Sequence, residues 1–321
     1  MNILLTGGAG FIGSHCCNIL TGDGHTVTIV DNYDPFYNKL IKAANIHSLL
    51  NNPLTTFIEG DITQSQLYDS LSTEHFDYII HLAAKAGVRP SIANALDYEN
   101  TNVKGTLNLL EFARQKKINQ FIFASSSSVY GVNPDYPWHE NNSHLMPISP
   151  YAATKLAGEH LGFTYAHLYN IQFTALRFFT VYGPGQRPDL AIHKFFHALY
   201  HNKPIEIYGA GDTLRDYTFV NDIVSGIKGA LSFRGKENFN VFNLGGNEPV
   251  KLIDLVRSIE NVTKKKFILE YKDMQPGDVP VTYASIDKAI QQLGYKVTTR
   301  LEDGLQQFKV WYEKTLLSMN Q

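Results

Sequence analysis

Tyr151 and Lys155 lie four residues apart in the string Y-A-A-T-K, directly after Pro150. Side chains with this spacing share one face of an α-helix, so the phenol and the ammonium are expected to lie together. A nearby cation stabilises a phenolate and lowers the pKa of the tyrosine, which would then serve as an acid–base catalyst. The string A-S-S-S-S-V-Y-G, which contains Ser126, ends a predicted strand upstream and would supply hydroxyls that orient a substrate alcohol. This combination predicts proton transfer at an alcohol; a surface Tyr–Lys pair is the alternative.

A second set of residues predicts dinucleotide binding. The chain opens with an apolar strand that runs into Gly7, Gly10 and Gly13 and then into an apolar-periodic helix. Gly7 would permit a tight turn, Gly10 a close approach of the backbone to a pyrophosphate, and Gly13 close packing of the helix on the strand. A second apolar run ends in Asp31, whose carboxylate would accept from ribose hydroxyls and repel a 2′-phosphate. The motif therefore predicts NAD rather than NADP; a glycine-rich turn without a ligand is the alternative.

These residues must be positioned by a sheet, and the apolar runs predict one. Strand-like runs alternate with helix-length segments through the first half of the chain, which is typical of an α/β fold with a doubly wound parallel Rossmann sheet. The candidate polar residues follow strand ends, where open α/β sheets bind ligands. The predicted strands are Ile3–Leu5, Val27–Val30, Thr56–Ile58, Tyr78–His81, Phe121–Ala124 and Phe173–Leu176.

The pattern changes after about Val181, where Gly and Pro become more frequent. We expect residues 1–180 to form the NAD-binding domain, with a strand and helix around 217–245 returning to it. Residues 181–321 are expected to form mainly a smaller C-terminal substrate-binding lobe that closes over the sheet edge.

Composition limits the possible partners and compartments. The 321 residues carry a formal net charge of −2, and the one basic tract is Lys264–Lys266, so we expect no nucleic-acid binding. Cys16 and Cys17 are adjacent in the first helix, which predicts buried thiols and a reducing compartment. No apolar run has the length of a membrane span, and the opening run is too short for a signal peptide. These features predict a cytoplasmic protein that does not bind membranes.

Two further features have structural alternatives. His193, His197 and His201 recur every fourth residue, but apolar residues occupy the opposite helical face, so we expect the histidines on the solvated side and no metal site. Asn102 stands in an otherwise apolar helix and is either a cofactor contact or a satisfied buried amide.

Several strings make the chain resemble the extended short-chain dehydrogenase/reductase family, and within it the nucleotide-sugar epimerases and dehydratases. The resemblance covers nearly the whole chain. Its carriers are T-G-G-A-G-F-I-G, Asp31-Asn32, Gly60–Ile62, His81–Ala84, Asn102–Thr106, the serine string with Y-x-x-x-K, Arg177–Gly185 and Leu214–Tyr217.

The resemblance implies roles for individual residues. Ser126 would hold the sugar hydroxyl, Tyr151 would exchange its proton, and Lys155 would bind the nicotinamide ribose and polarise Tyr151. The implied NAD contacts are Gly7, Gly10, Phe11, Ile12, Gly13, Asp31, Asn32, Asp61 and Ile62 (beside the adenine), Leu82, Ala83, Ala84, Asn102, Ser125, Tyr151, Lys155 and Phe178 (near the nicotinamide). The implied contacts with the rest of a UDP-sugar are Tyr208 beside uracil, Arg215 at the diphosphate and Asp278 at a ribose.

Within the family the chain most resembles the UDP-glucuronate 4-epimerases. The strings that carry this likeness are A-G-V-R at Ala86–Arg89, G-Q-R-P-D-L-A at Gly185–Ala191 and M-Q-P-G-D-V-P-V-T-Y-A at Met274–Ala284. It implies NAD-dependent conversion of UDP-glucuronate to UDP-galacturonate through a transient 4-keto intermediate, in carbohydrate metabolism such as polysaccharide biosynthesis. Two positions depart from relatives: Lys85 replaces a common glutamine, and Gln275 stands where many sugar epimerases have a phosphate-binding arginine, which leaves Arg215 with more of the diphosphate charge.

A 4-keto uronate loses carbon dioxide readily, so such an epimerase must restrain the carboxylate. The family resemblance implies that this strand-end loop reads T-S-E-V-Y in related decarboxylases and T-D-E-V-Y in related dehydratases. This chain has Ser127 and Ser128 at the positions of the S-E and D-E pairs. These serines, Thr180 and Arg187 are predicted to bind the carboxylate, with Arg187 offering a bidentate fork; a solvated loop arginine is the alternative for Arg187.

Other functions stay open at this point. Same-class alternatives are a UDP-glucose or UDP-N-acetylhexosamine 4-epimerase and a UDP-glucuronate decarboxylase. The different-class alternative is a non-catalytic NAD-binding scaffold, against which the intact Ser126, Tyr151 and Lys155 argue. The helices around Val103–Phe112 and Ala152–Tyr165 form a four-helix interface in relatives, which implies a homodimer.

Overall fold

The computed structural model describes residues 1–273 and 279–317 of the chain. Its strands are β1 Asn2–Thr6, β2 Thr26–Asp31, β3 Thr55–Glu59, β4 Tyr78–His81, β5 Gln120–Ser126, β6 Gln172–Phe178, β7 Thr180–Tyr182, β8 Ile205–Tyr208, β9 Leu214–Phe219, β10 Phe239–Leu244, β11 Pro249–Lys251 and β12 Leu269–Lys272. Its α-helices are α1 Phe11–Gly22, α2 Lys39–Ile46, α3 Ser65–Ser70, α4 Val88–Ala93, α5 Ala95–Tyr98, α6 Gly105–Lys116, α7 Pro150–Tyr169, α8 Ala191–Tyr200, α9 Val220–Ser232, α10 Leu252–Thr263, α11 Asp287–Leu293 and α12 Leu301–Trp311.

Seven parallel strands form the central sheet in the order β10-β6-β5-β4-β1-β2-β3. The order reverses beside β1, and this reversal creates the crevice in which open α/β sheets bind ligands. Each of the six predicted strands lies within an observed strand, and the predicted α/β doubly wound fold is confirmed. The seventh strand, β10, pairs with β6 after a long excursion of the chain.

Apolar side chains cover both faces of the sheet, which is why the strands read as nearly continuous hydrophobic runs. Within β1, Ile3 and Leu5 belong to one buried cluster and Leu4 to the other. The cluster with Ile3 continues through α1, α8, α9, α10 and α12 and so joins the sheet to the C-terminal segments. The other cluster lies under α6 and α7.

Helix α7 carries Tyr151 and Lys155, and its sequence fixes both its start and its depth. The Ser149 hydroxyl accepts from the amide of Ala152, and Pro150 occupies the first turn, as is usual at a helix start. Gly158 and Gly162 let the helix approach the sheet, because a Cβ on either would lie 2.4 Å or 2.3 Å from the ring of Phe123 or Phe173. The helix therefore lies tightly against β5 and β6, with its first turns above their carboxyl ends.

The segments after β6 build two small sheets, β11-β9-β7 and β12-β8, beside the carboxyl edge of the central sheet. The short strand β7 pairs in parallel with β9, so Thr180 lies opposite Tyr217. This arrangement brings residues far apart in sequence next to the ends of β5 and β6.

Two of the three histidines, His193 and His197, lie in α8 and His201 follows it; the expectation that they are solvated is wrong for one of them. His197 and His201 are exposed, but His193 is buried among the rings of Phe308, Trp311 and Tyr312. The reason is that α12 and the residues after it cover that face of α8. The two cysteines, in contrast, are free buried thiols as predicted, and burial raises the pKa of both.

Candidate active site

The glycine-rich turn after β1 forms a cradle in which two positions, Gly7 and Gly13, have no room for a Cβ. A Cβ on Gly7, whose φ is +75°, would lie 2.6 Å from the nitrogen of Ala83, and one on Gly13 would lie 2.2 Å from the carbonyl oxygen of Gly7. Gly10 precedes α1, and only the Gly7 carbonyl lies near its missing side chain. Phe11 and Ile12 follow in the first turn of α1. The amides at this helix start fit the pyrophosphate of a dinucleotide.

Asp31 ends β2 next to this turn and is buried. One of its oxygens accepts from the amide of Ala9 at 3.1 Å and the other from the amide of Tyr33 at 2.8 Å, while Lys42 Nζ lies 4.0 Å away. Burial raises the pKa of the Asp31 carboxyl, and the charge of Lys42 and the two amides oppose that shift. Because each carboxylate oxygen can accept twice, Asp31 can brace the glycine turn and still accept from ribose hydroxyls.

Two neighbouring residues at the same edge contact each other. Asn32 donates from its amide to Asp61 at 3.0 Å, and Asp61 also accepts from the amide and the hydroxyl of Thr63. Ile62 is buried, and its side chain would meet a Cβ on Gly105. The predicted adenine end of the site is therefore held in place by the protein's own hydrogen bonds.

Asn102 is held by hydrogen bonds within the protein, and its role as a cofactor contact stays a prediction. Its amide donates to the carbonyl of Lys85 at 2.9 Å and to the hydroxyl of Thr154 at 3.0 Å, and its oxygen accepts from the amide of Lys85 at 2.8 Å. Both N–H donors are used within the protein, and the residue is buried. Asn102 thus ties the loop after β4, which carries Leu82, Ala83 and Ala84, to helix α7.

The hydroxyls predicted to be catalytic meet at the end of β5. Ser126 hydrogen-bonds the Tyr151 phenol, and the Ser128 hydroxyl lies 2.9 Å from the Ser126 hydroxyl. Ser126 also caps the short turn that follows, by accepting from the amide of Ser128. The ring of Tyr98 packs edge-on against Tyr151, with 6.3 Å between ring centroids. Tyr151 and Ser126 are therefore brought together as predicted from the sequence.

Lys155 is buried one helical turn from Tyr151, and its ammonium contacts the end of β5. Its Nζ donates to the carbonyl of Ala124 at 2.7 Å, and burial lowers the pKa of Lys155 to about 7. Burial also raises the pKa of Tyr151, and the groups that oppose this shift are the hydroxyl of Ser126 and the positive charge of Arg187. Lys155 is directed to the strand end, and its predicted effect on the pKa of Tyr151 stays a prediction.

A buried ion pair between Arg177 and Glu159 lies behind the site, and the sequence analysis did not predict it. Glu159 accepts from Arg177 at 2.9 Å and 2.7 Å and from the Ser125 hydroxyl at 2.5 Å. The hydroxyl of Ser125, predicted to contact the cofactor, is thus engaged with Glu159, which leaves its backbone for that role. Phe178 ends β6 opposite Ser126, at the edge where a nicotinamide was expected. Only the spacing of Tyr151, Lys155 and Glu159, four residues apart each, hinted that Glu159 shares their helix face.

Arg187 reaches the site from the loop after β7. It forms a bidentate ion pair with Asp189, with N–O distances of 2.9 Å and 2.7 Å. Its guanidinium carbon lies 5.4 Å from the centroid of the Phe36 ring. Burial opposes the charge of Arg187, but the hydrogen bonds and charge of Asp189 outweigh burial and raise the pKa of Arg187. Ser127 and Ser128 follow β5, and Thr180 follows the neighbouring strand β6, so these hydroxyls share one edge.

Two residues predicted to bind the nucleotide part of a UDP-sugar lie on the strands β8 and β9. Tyr208 ends β8 and donates to Glu206 at 2.5 Å, and Arg215 on β9 donates to the carbonyl of Leu214 at 2.9 Å. The structure adds Arg89 of α4, whose guanidinium carbon lies 5.7 Å from the Tyr208 ring centroid. Asp278 and Gln275 lie outside the described residues.

Residues 1–273 and 279–317 show neither a metal cluster nor a membrane-spanning helix. No group of three or more His, Cys, Asp or Glu side chains is arranged to hold a metal ion. In the same residues, none of the helices combines the length and the apolar character needed to cross a bilayer.

Comparison with known proteins adds to this geometry. Residues 3–245 match the NAD dependent epimerase/dehydratase family. The chain is 38% identical to a UDP-glucuronate 4-epimerase of Thermodesulfobacterium geofontis, over 98% of this chain and 96% of that protein. It superimposes with a TM-score of 0.91 and 36% identity on the UDP-glucuronic acid 4-epimerase of Bacillus cereus in complex with UDP-glucuronic acid and NAD, covering 98% and 99% of the two chains. A UDP-glucose 4-epimerase of Thermotoga maritima with UDP-glucose superimposes with a TM-score of 0.89 and 31% identity, over 98% and 100%.

Proposed function

Because this chain belongs to the NAD dependent epimerase/dehydratase family, we propose that it interconverts UDP-glucuronate and UDP-galacturonate by NAD-dependent epimerisation at C4. The observation that carries the uronate as substrate is Arg187, a partly buried arginine whose charge acts on the Tyr151 phenol. A cation beside the reacting carbon suits a sugar with a C6 carboxylate better than a sugar with a neutral C6 hydroxyl.

The chain's own residues perform the proton transfer. The Tyr151 phenolate takes the proton of the C4 hydroxyl, while Ser126 orients that hydroxyl through its hydrogen bond to the phenol. Ser128 donates to Ser126 and so fixes the direction of the Ser126 hydroxyl. NAD, when bound, supplies the redox chemistry by which hydrogen leaves C4 with its electron pair and returns to the opposite face. The glycine cradle and Asp31 fit this cofactor, because Gly7 and Gly13 leave no room for a Cβ and Asp31 suits free ribose hydroxyls.

Protection of the carboxylate is the second task of the site. In a 4-keto uronate the C5–C6 bond can break, releasing carbon dioxide and leaving its electron pair on C5, which then takes up a proton. Ser127, Ser128, Thr180 and Arg187 are proposed to hold the carboxylate so that the C5–C6 bond stays out of line with the ketone. No acidic side chain replaces Ser127 or Ser128 to assist elimination.

The nucleotide end is proposed to bind through Tyr208 at the uracil and Arg215 at the diphosphate, with Asp278 at the ribose. Arg89 supplies a further cation near Tyr208. This addition is relevant because Gln275 replaces an arginine that many sugar epimerases use for phosphate.

The assembly and location of the enzyme are also proposals. Leu107 on α6 and Phe163 on α7 are large apolar side chains left exposed on neighbouring helices, which supports a homodimer that pairs these helices. Free buried thiols at Cys16 and Cys17 agree with a cytoplasmic enzyme of polysaccharide biosynthesis. We retain the division into an NAD-binding domain over 1–180, with 217–245 returning to it, and a substrate lobe over most of 181–321.

A panel of UDP-sugars incubated with the pure protein and read by NMR tests the proposal. UDP-glucuronate should be converted to UDP-galacturonate without an added reductant. A preference for UDP-glucose or a UDP-N-acetylhexosamine would replace the uronate with a neutral sugar. UDP-pentose as the main product would identify a decarboxylase, and no turnover at all would support a binding role.

A further inference from the structure

Asp189 fixes the orientation of Arg187. Arg187 Nε and Nη2 each donate to a different oxygen of the Asp189 carboxylate, at 2.9 Å and 2.7 Å. Such a bidentate pair defines the plane of the guanidinium as well as its position. The ring of Phe36, 5.4 Å from the guanidinium carbon, adds a contact that restricts rotation of the group.

The loop that carries both residues is itself anchored. The buried side chain of Gln186 donates to the carbonyl of Val181 at 3.0 Å, and His193 Nδ1 lies 2.7 Å from the carbonyl oxygen of Gln186. Pro188 separates Arg187 from Asp189 and limits the backbone between them. The ion pair is therefore a fixed element of the loop rather than a chance contact of two flexible side chains.

The donor count of the guanidinium shows what remains for a ligand. Arginine has five N–H donors, and Asp189 uses the one on Nε and one of the two on Nη2. The edge formed by Nη1 and the second N–H of Nη2 can take another carboxylate with two parallel hydrogen bonds. Burial raises the pKa of Tyr151 and of Tyr98, and the charge of Arg187 opposes both shifts, so this group acts on the side of the site where the sugar reacts.

We propose that Asp189 is a positioning residue that determines substrate specificity: by occupying the Nε edge of Arg187, it directs the opposite edge of the guanidinium to the C6 carboxylate of the sugar. This inference rests on the function proposed above. Asp189 does not touch the substrate; it acts through Arg187.

A different role for Asp189 makes the opposite prediction. If Asp189 were a competitor that the substrate carboxylate must displace, removal of its charge would strengthen binding of the uronate. If Asp189 positions Arg187, removal of its charge weakens that binding. The direction of the change in KM therefore separates the two roles.

The test is Asp189→Asn, which keeps the shape of the side chain but loses the paired charge. We expect the KM for UDP-glucuronate to rise about threefold to tenfold, the scale of a lost hydrogen bond converted to an equilibrium constant. The inhibition constant of UDP, which has no carboxylate, should stay within about twofold of the wild-type value, and so should the affinity for NAD measured by calorimetry. The share of UDP-pentose among the products should rise, because a loosely held carboxylate is lost more easily.

A double-mutant cycle keeps the outcome interpretable. Arg187→Ala alone should raise the KM for UDP-glucuronate about tenfold or more, the scale for a hydrogen bond to a charged group. Adding Asp189→Asn to Arg187→Ala should then change nothing further, because the two residues act as one unit. Additive effects, an unchanged KM or a lowered KM in Asp189→Asn would overturn the inference.

Failure of the proposed function looks different. In that case wild-type protein would not convert UDP-glucuronate, or Arg187→Ala would handle it as wild type does. If both of those expectations hold and only Asp189→Asn behaves as wild type, the inference alone fails.

Discussion

Lys155 Nζ donates to the carbonyl oxygen of Ala124 at 2.7 Å, and this bond ties α7 to the end of β5, where Ser126 begins its turn toward Tyr151. The ammonium is buried, with the ring of Phe123 5.0 Å away. Burial without a carboxylate beside it lowers the pKa of Lys155 to about 7. Lys155 thus has a structural contact at the strand end in addition to its proposed place at the nicotinamide ribose.

This burial predicts how stability depends on pH. The unfolded chain keeps the ordinary lysine pKa of about 10.4, so between pH of about 7 and 10 the unfolded state binds more protons than the folded state. The cost of burying the charge is fully present below about pH 7 and is relieved as the pH rises. Urea unfolding of wild type and Lys155→Met at about pH 6.5 and pH 9.5 checks this. The unfolding free energy of wild type relative to that of Lys155→Met should be greater at the higher pH. The same change with pH in both proteins would contradict a buried charge at Lys155.

Loss of the Tyr151 phenol should nearly abolish turnover. Tyr151→Phe is expected to lower kcat by about two to four orders of magnitude, the usual effect of removing an acid–base group, with NAD binding retained. Tyr169→Phe is a matched control, because Tyr169 is exposed at the end of the same helix. Initial rates with UDP-glucuronate and calorimetry with NAD make the comparison. Epimerisation by Tyr151→Phe at near the control rate would assign the base to another residue.

Asp31 should select NAD over NADP. A carboxylate at the end of β2 accepts from ribose hydroxyls and repels a 2′-phosphate. Calorimetry should therefore show much tighter binding of NAD than of NADP. Asp31→Asn should reduce the ratio of the two affinities, because it weakens the binding of NAD and removes the charge that repels the 2′-phosphate of NADP. Asp69→Asn, an exposed carboxylate on α3, should leave the ratio unchanged. Equal affinity of wild type for the two cofactors would remove this assignment.

The buried pair behind the site should dominate local stability. Glu159→Gln leaves the Arg177 charge without its counter-ion in the interior, which is expected to cost about 3–5 kcal/mol of unfolding free energy. Arg257→Gln breaks an exposed pair with Asp254 and is expected to cost about 0–1 kcal/mol. Chemical denaturation of the two variants measures both values. Equal losses of unfolding free energy in the two variants would show that the buried pair stabilises the protein no more than the exposed pair does.

Local patterns predicted much of this structure because they depend on neighbouring residues. The six strands follow from apolar runs, and the start of α7 from Ser149 and Pro150. The meeting of Ser126 and Tyr151 follows from parallel strand ends sharing an edge and from a helix that packs against them. Family resemblance then supplied the roles that spacing alone could not.

The parts that the sequence did not predict depend on contacts between distant segments. The spacing in α8 predicted a solvated His193, but α12 covers that side chain. The hydrogen bonds of Asn102 to Lys85 and Thr154 likewise join segments whose contact the sequence does not specify. Lys155 and Tyr151 share a helix face, but the direction of the ammonium is decided by the carbonyl of Ala124. Side-chain direction in a packed interior is a tertiary property, and helical spacing cannot specify it.

Epimerisation of UDP-glucuronate carrying deuterium at C4 tests the central claim most directly. If hydrogen leaves C4 and returns to the same carbon within one closed site, UDP-galacturonate will retain the deuterium at C4, even in ordinary water and without added reductant. Proton NMR and mass spectrometry of the product read this out. Loss of the deuterium to solvent, a UDP-pentose as the main product, or no conversion of the uronate would contradict the account.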